Sequence, residues 1–320
     1  MEKKENIMKY LVYRKWFIVL TYFFAPGLLT VAFADATDSA DYPRHTDSSI
    51  DIEYFNMDDS KSNIGNAQVG TSGVLVQTEY EINDIVLSFN YERWKYSWKN
   101  PENLPFVSGT TATPWNNFNT LQLGIAFERE INDEWELNYY LEAESSFEKE
   151  TSASNEYEAG IDFIYEPSEE WAYTLNVNLE YLDATGGELG VDLEIEWNHD
   201  KKEGWSGEFE LSSEFPETSL TYHFTKAFST TMFYGEGGTS TIRLSDSSPV
   251  TGMQGGYFED EYTSLGARLD YEFAPESYLT FSFQQNSERN FSFVDRTGRI
   301  ETAYEFADTV ETSIGLLYTF

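Results

Sequence analysis

The sequence predicts an all-β protein: a transmembrane, up-and-down antiparallel β-barrel of about 14 strands, with 12 or 16 as alternative counts. Three observations predict it. After residue 35 apolar and polar residues alternate with a period of two, in runs of about 9 to 13 residues, the length a tilted strand needs to cross a bilayer. The breaks between runs alternate between short turns and longer polar segments. The chain also ends on the alternating run IGLLYTF, with Phe320 last. Soluble domains usually end in a frayed polar tail, so something has to hold this terminus.

The elements follow in order. Lys9, Arg14 and Lys15 precede the apolar run WFIVLTYFFAPGLLTVAFA, which closes on Ala32, Phe33 and Ala34. This is the pattern of a secretory signal peptide, expected at 1–34 with cleavage after Ala34; the alternative is a membrane anchor, against which Pro26, Gly27 and the Ala-x-Ala end argue. A short periplasmic lead is expected at 35–48 and the barrel at 49–320. Strands are expected at 49–57, 72–82, 85–98, 118–131, 135–149, 156–166, 170–182, 187–198, 205–215, 218–224, 228–236, 260–273, 278–287 and 308–320. The pair around Leu220 and Met232 has the weakest pattern.

Alternation decides each face. Val74, Val76, Tyr80 and Ile82 share one side of their run against Gln77, Glu79 and Glu81. Trp135, Leu137, Tyr139 and Leu141 oppose Glu136, Asn138, Glu142 and Glu144. Leu175, Val177 and Leu179 oppose Asn176, Asn178 and Glu180, and Val191, Leu193 and Ile195 oppose Asp192, Glu194 and Glu196. Short turns are expected near residues 83–84, 132–134, 166–170, 198–204, 225–227 and 274–277. Long connections are expected near 57–71, 99–117, 150–155, 183–187, 236–260 and 288–307, with one tight turn at Pro216 and Glu217. Aromatic and large apolar residues flank the short turns, among them Ile131, Trp135, Tyr165, Trp171, Trp197, Trp205, Phe224, Phe228, Phe273 and Tyr278. A ring of such residues at one level is an interfacial girdle. A secreted β-sandwich is the alternative, but it has no need of large side chains at one end of every hairpin.

Composition excludes several function classes. Asp and Glu outnumber Lys and Arg by 56 to 20, for a formal charge of -36, and 17% of the residues are aromatic. Disordered chains are poor in aromatics. No basic stripe exists to neutralise phosphates, so nucleic acid is not an expected partner. The absence of cysteine removes disulfides and thiolate chemistry. No cofactor or metal motif occurs, and GEGG at 235–238 reads as loop chemistry.

In its layout and its last strand, where Phe320, Tyr318, Leu316, Ile314 and Val310 share a face, the chain resembles bacterial outer-membrane β-barrel proteins. Its size and strand number are most similar to the OmpG-type monomeric porins, and VETSIGLLYTF is similar to strand endings there. The resemblance implies Sec-type export, residence in a Gram-negative outer membrane among lipid and lipopolysaccharide, and a monomer. It also implies an assembly signal at Tyr318 and Phe320, read by the barrel-assembly machinery, and closure of the last strand against the first.

The lumen face then carries Glu79, Glu81, Glu128, Glu130, Glu136, Glu142 and Glu144 in the first half of the barrel. Glu158, Asp162, Glu180, Asp192, Glu194, Glu196, Glu208, Glu210, Glu214, Asp270, Glu272 and Glu311 follow, with Arg268 almost the only inward base. Sugar-selective porins set arginine against acid across a constriction, and this chain departs from that pattern. Carboxylate rings bias a pore toward cations, although the same acids could simply solvate a wet lumen. Of three histidines only His223 falls on an inward strand position, with Glu210 or Ser229 as expected cross-strand neighbours, and no enzyme is expected. The expected function is a water-filled, cation-preferring channel for small hydrophilic solutes, sugars among them. The alternative is a closed structural or adhesion barrel presenting its loops; bulky or charge-paired lumen residues would mark such a plugged barrel, and like-charged carboxylates argue against it. Residues 236–260 are expected to fold over the mouth, with Ile242, Leu244, Val250 and Met253 against the rim and Arg243 near acids of the wall.

Overall fold

The computed structural model describes residues 48–320 except 83, 108–112, 183–185, 199–202, 213–215, 240, 251 and 297–299. The expected leader with Ala32 and Ala34, nearly all of the lead, His45, His199 and Glu214 lie outside the described residues.

The strands are β1 (Ser49–Lys61), β2 (Gln68–Ile82), β3 (Ile85–Lys99), β4 (Asn117–Asn132), β5 (Trp135–Phe147), β6 (Asn155–Ser168), β7 (Trp171–Leu182) and β8 (Gly186–Trp197). They continue as β9 (Gly204–Leu211), β10 (Pro216–Thr225), β11 (Phe228–Gly238), β12 (Ile242–Arg243), β13 (Tyr257–Ala274), β14 (Ser277–Val294), β15 (Ile300–Glu305) and β16 (Thr309–Thr319). Strands β1 to β11 pair in sequence; β11 then pairs with β13, β13 with β14, β14 with β16 and β16 with β1. Fourteen antiparallel staves therefore close into a barrel. The doubtful pair is present as β10 and β11, joined from Thr218↔Tyr234 to Thr225↔Phe228.

Closure holds the terminus. β1 and β16 pair from Ser49↔Thr319 to Met57↔Glu311, and Phe320 N donates to the Ser48 carbonyl at 2.9 Å. A stave left unpaired in hydrocarbon would strand its backbone polar groups at several kcal/mol each, which is why only a closed sheet can cross. No described helix is long and apolar enough to span a membrane.

Alternation turns the apolar residues outward, where Leu123, Phe281 and Ile314 are at least half exposed. In water this would be costly; against lipid tails it is the favoured arrangement. The short turns lie at one end and are closed by side-chain acceptors. Asn132 Oδ1 accepts from Glu134 N, Ser168 Oγ from Glu170 N and Thr225 Oγ1 from Ala227 N, at 3.0 to 3.3 Å. Such local bonds are the reason Asn, Ser and Thr favour turns. Beside them the girdle rings meet: Trp135 and Tyr165 at 4.5 Å between centroids, Trp205 and Tyr222 at 4.8 Å, Tyr318 and Phe320 at 6.1 Å. Tyr278 departs from this expectation. Its register partners are Glu272 and Leu317, which places it on the inward face.

The long-loop end differs most from the sequence reading. Residues 288–307, expected as a loop, are largely strand: β14 bulges past Ser287 and runs on to Val294, and β15 folds back on it. β13 begins at Tyr257, three residues early. β9 covers Gly204–Leu211, and Pro216 and Glu217, expected as a tight turn, are the first residues of β10. The wall is thus tall at β13 and β14, with 18 residues each, and low at β9, with 8.

Candidate functional site: the barrel interior

The interior has two levels. Near the short turns it is polar. The structure places Glu79, Glu81, Glu128, Glu142, Glu158 and Asp162 around one cavity of about 530 Å³, with Asn138 and Tyr140 between them. Register sets acids directly opposite acids. Glu142↔Glu158, Glu158↔Glu180 and Glu180↔Glu188 make a row of four carboxylates across β5 to β8. Glu194↔Glu210 and Glu210↔Glu217 make another across β8 to β10, and Glu130↔Glu136 and Glu196↔Glu208 are further pairs. Facing like charges destabilise a sheet, so these rows need water or counterions between them. Glu144 faces Glu156, Asp192 faces Asn176, and Glu311 bonds to Asn286.

Amides and one phenol tie the acids to the wall. Asn138 and Asn176 donate to Asp162 at 3.1 and 2.6 Å, Asn178 to Glu158 at 2.8 Å, and Tyr140 OH to Glu158 at 2.7 Å. An ionised carboxylate only accepts, so each amide turns its nitrogen toward the acid. The Tyr140 ring reaches this position by lying on Gly160, where any Cβ would collide with it. Glycine in mid-strand is the device that permits such close approach.

His223 bonds Ser206 Oγ at 3.1 Å and faces Ser229 across the ladder. Glu210 is not its neighbour: Glu210 pairs with Glu217, six residues along β10. Asp270, which faces Ser229 from β13, is held by Arg268 at 3.0 Å. Among the described residues no acid in a hydrogen bond to His223 orients it as a base. Among the described residues no group of three or more His, Asp or Glu side chains forms a metal site.

Near the long loops the interior is dry. Phe55, Val69, Trp94, Tyr96 and Phe118 point inward from β1 to β4, and Phe258, Phe291 and Phe293 from β13 and β14. Leu104, Phe106 and Trp115 from the β3–β4 connection pack onto them, as do Ile242, Leu244, Val250 and Met253. Ring centroids lie 4.5 Å apart for Trp115 and Phe258 and 4.3 Å for Phe291 and Phe306. Inside this cluster Arg289, wholly buried, forks onto Asp260, with Nε to Oδ1 at 2.8 Å and Nη2 to Oδ2. Nη2 also donates to Thr71 Oγ1 at 2.9 Å, Tyr96 OH to Asp260 at 3.1 Å, and the guanidinium lies 5.0 Å from the Phe291 ring centre. The expectation of a lumen free of bulky or charge-paired residues therefore fails at this level. Arg268 is joined by Arg289 and Arg243 as an interior base.

A strap over 239–256 carries the loop residues across. It leaves β11 and returns to β13, yet Arg243 pairs with Phe147 of β5, near the opposite side of the ring. There Glu148 N donates to the Arg243 carbonyl at 2.9 Å, Ser245 N to Glu148 Oε2 at 2.9 Å, and Arg243 meets Glu150 at 3.6 Å and Asp246 at 2.7 Å.

No protein-family model and no curated protein sequence matches the chain. Solved structures resemble it at low identity. The Pseudomonas putida toluene transporter TodX is 7% identical, over 87% of this chain and 91% of its own, with a TM-score of 0.49. A Pseudomonas aeruginosa FadL homologue is 11% identical over 85% and 90%, at 0.47, and the porin KdgM, solved with oligogalacturonate, is 11% identical over 85% and 99%, at 0.38. The interior of this barrel has to be understood from its own residues. With its staves closed and an apolar belt outside, the chain has the architecture of a membrane-spanning β-barrel.

Proposed function

We propose that the protein is a porin-type channel of the Gram-negative outer membrane, passing small hydrophilic solutes, with a preference for cations, and restricted at its long-loop mouth by a folded plug. The observation that carries this is the acid-walled cavity of about 530 Å³ beneath a plug built from the upper staves and the loop segments between them. Rows of facing carboxylates are stable only when hydrated, and a hydrated, like-charged bore selects counterions. The pore-lining set is the one named from the sequence, Glu79 through Asp270, with Glu188 and Glu217 added. The OmpG-type monomeric layout remains part of the proposal, as do insertion by the barrel-assembly machinery and sugars as solutes.

A second reading has its own support. The buried aromatic plug with its Arg289–Asp260 pair suits a closed barrel that presents loops. Planar-bilayer recordings of the wild type, and of a variant with 239–256 replaced by a short Gly/Ser linker, separate the two. Steady current from either protein supports the channel. Silence from both, with each barrel folded and heat-modifiable on a gel, establishes the structural reading.

A further inference from the structure

The outer wall is asymmetric in charge above the lipid belt. On β3 the outward residues run Ile85, Leu87, Phe89, Tyr91 and then Arg93, Lys95, Ser97, Lys99. At about 3.3 Å per residue and a tilt of about 40°, Arg93 stands roughly 20 Å and Lys95 roughly 25 Å above Ile85, the height at which an apolar belt about 25 Å tall gives way to headgroups. Neighbouring strands change at the same level. Asn56 faces Ser72, Ser72 faces Lys95, and Lys95 faces Asn117, while four residues higher Gln68 lies between Lys61 and Lys99. Arg93, Lys95, Lys61 and Lys99 are all exposed. Asp58 and Asp59 are the acids nearby, and Asp59 pairs with Lys99. Two to four staves from β1 in the other direction, the outward rim of β14, β13 and β11 carries Glu288, Glu261 and Glu236 instead.

In a chain of charge -36, Arg93 and Lys95 at the edge of the belt, with Lys99 of β3 and Lys61 of β1 about 10 Å higher, make a phosphate-recognising surface: guanidinium and ammonium groups flanked by the amides and hydroxyl of Asn56, Asn117 and Ser72. We infer that the β1–β3 sector docks a phosphorylated glycolipid of the lipid A type from the surrounding outer leaflet, with its phosphates on Arg93 and Lys95. The occupant follows from position and charge. At this height the wall meets the headgroups of the leaflet around it, and the complementary groups there are anionic. The inference rests on the outer-membrane reading and not on conduction.

The folded full-length barrel in detergent is titrated with bisphosphorylated lipid A, dephosphorylated lipid A and phosphatidylglycerol, and bound lipids are counted by native mass spectrometry. Lipid A is expected to bind in preference to the other two, less tightly as salt rises. Arg93→Gln with Lys95→Gln should weaken it about tenfold, given the attraction each base near an anionic surface contributes. The swap Arg93→Lys with Lys95→Arg should retain it, and Glu236→Gln with Glu261→Gln should change nothing. Equal retention of dephosphorylated lipid A or of phosphatidylglycerol, no loss in the Gln pair, or a dimer that the Gln pair abolishes would each overturn the assignment. Heat-modifiability of every variant reports folding separately, so a failed barrel is not mistaken for a failed surface.

Discussion

Breaking the Arg289–Asp260 pair is the sharpest perturbation of the plug. Arg289→Met leaves the Asp260 carboxylate buried with Tyr96 OH as its remaining side-chain donor, after losing the two bonds of the fork. Removing one member of a buried ion pair costs about 3–5 kcal/mol, because the survivor is an uncompensated charge. Asp260→Leu should cost as much, since Arg289 then keeps only Thr71 and the face of Phe291. The double variant removes both charges and leaves the Tyr96 hydroxyl without its acceptor, at about 1–3 kcal/mol. The two single changes should therefore sum to well over the double, with a coupling of about 3 kcal/mol or more at the top of the usual range. Urea titration followed by near-ultraviolet circular dichroism of the plug aromatics measures all four proteins. In bilayers each single variant should also open more often than the wild type. Additive stabilities, or single variants as firmly plugged as the wild type, would refute the view that this pair latches the mouth.

Other outcomes follow from the same geometry. Neutralising the row Glu142, Glu158, Glu180 and Glu188 to Gln should move the reversal potential in a KCl gradient toward zero. In the wild type the cation preference should fade as the screening length drops from about 8 Å to about 3 Å at 1 M salt; an anion-selective wild type would end the idea. Deleting Phe320 should lower outer-membrane yield, scored by immunoblot of membrane fractions, and normal yield would contradict the assembly role. Arg243→Cys with Phe147→Cys joins two facing residues of a chain that has no other cysteine, so oxidation should lock the strap and reduce open time. Unchanged gating in the oxidised protein would clear the strap of that task.

The staves and their count were legible because alternation and turn chemistry are local. Ile82, Trp135 and Trp205 declare their side of the wall through neighbours two residues away. The strap's share of the plug was expected from Ile242, Leu244, Val250 and Met253; the inward aromatic residues of the staves were not, although a signal existed. On β3 the apolar residues, Val86 apart, are odd-numbered up to Tyr91 and even-numbered from Trp94 to Trp98. The same change of phase occurs between Tyr54 and Phe55 on β1 and between Tyr262 and Leu265 on β13. It marks the height at which the outside ceases to be lipid. Arg289 was missed for a different reason: the bulge after Ser287 breaks the period, so the run NSERNFSFV reads as a loop when it is the top of a stave. The meeting of Arg243 with β5 is a contact between residues about a hundred positions apart, and no local pattern encodes it.

That change of phase divides the protein into two solvation regimes with different driving forces. Below it the fold is apolar outside and wet within, and lipid supports it. Above it water lies outside, so apolar side chains turn inward and pack as in a soluble domain, gaining from the hydrophobic effect that the lipid-facing part lacks. The tryptophans sort cleanly between the two: Trp94, Trp98 and Trp115 in the plug, and Trp135, Trp171, Trp197 and Trp205 beside the short turns. Urea weakens burial from water, so the plug should loosen at a concentration that leaves the staves folded. Emission from Trp94, Trp98 and Trp115 should shift red first and become accessible to acrylamide. Quenching of the girdle tryptophans by brominated lipid should persist until the barrel itself unfolds. Trp115→Ala, which removes a fully buried ring at a typical cost of about 3–5 kcal/mol, should bring the first transition to lower urea and leave the second in place. If the two signals move together at a single urea concentration in both proteins, plug and staves form one cooperative unit, and the division at the change of phase has no energetic meaning.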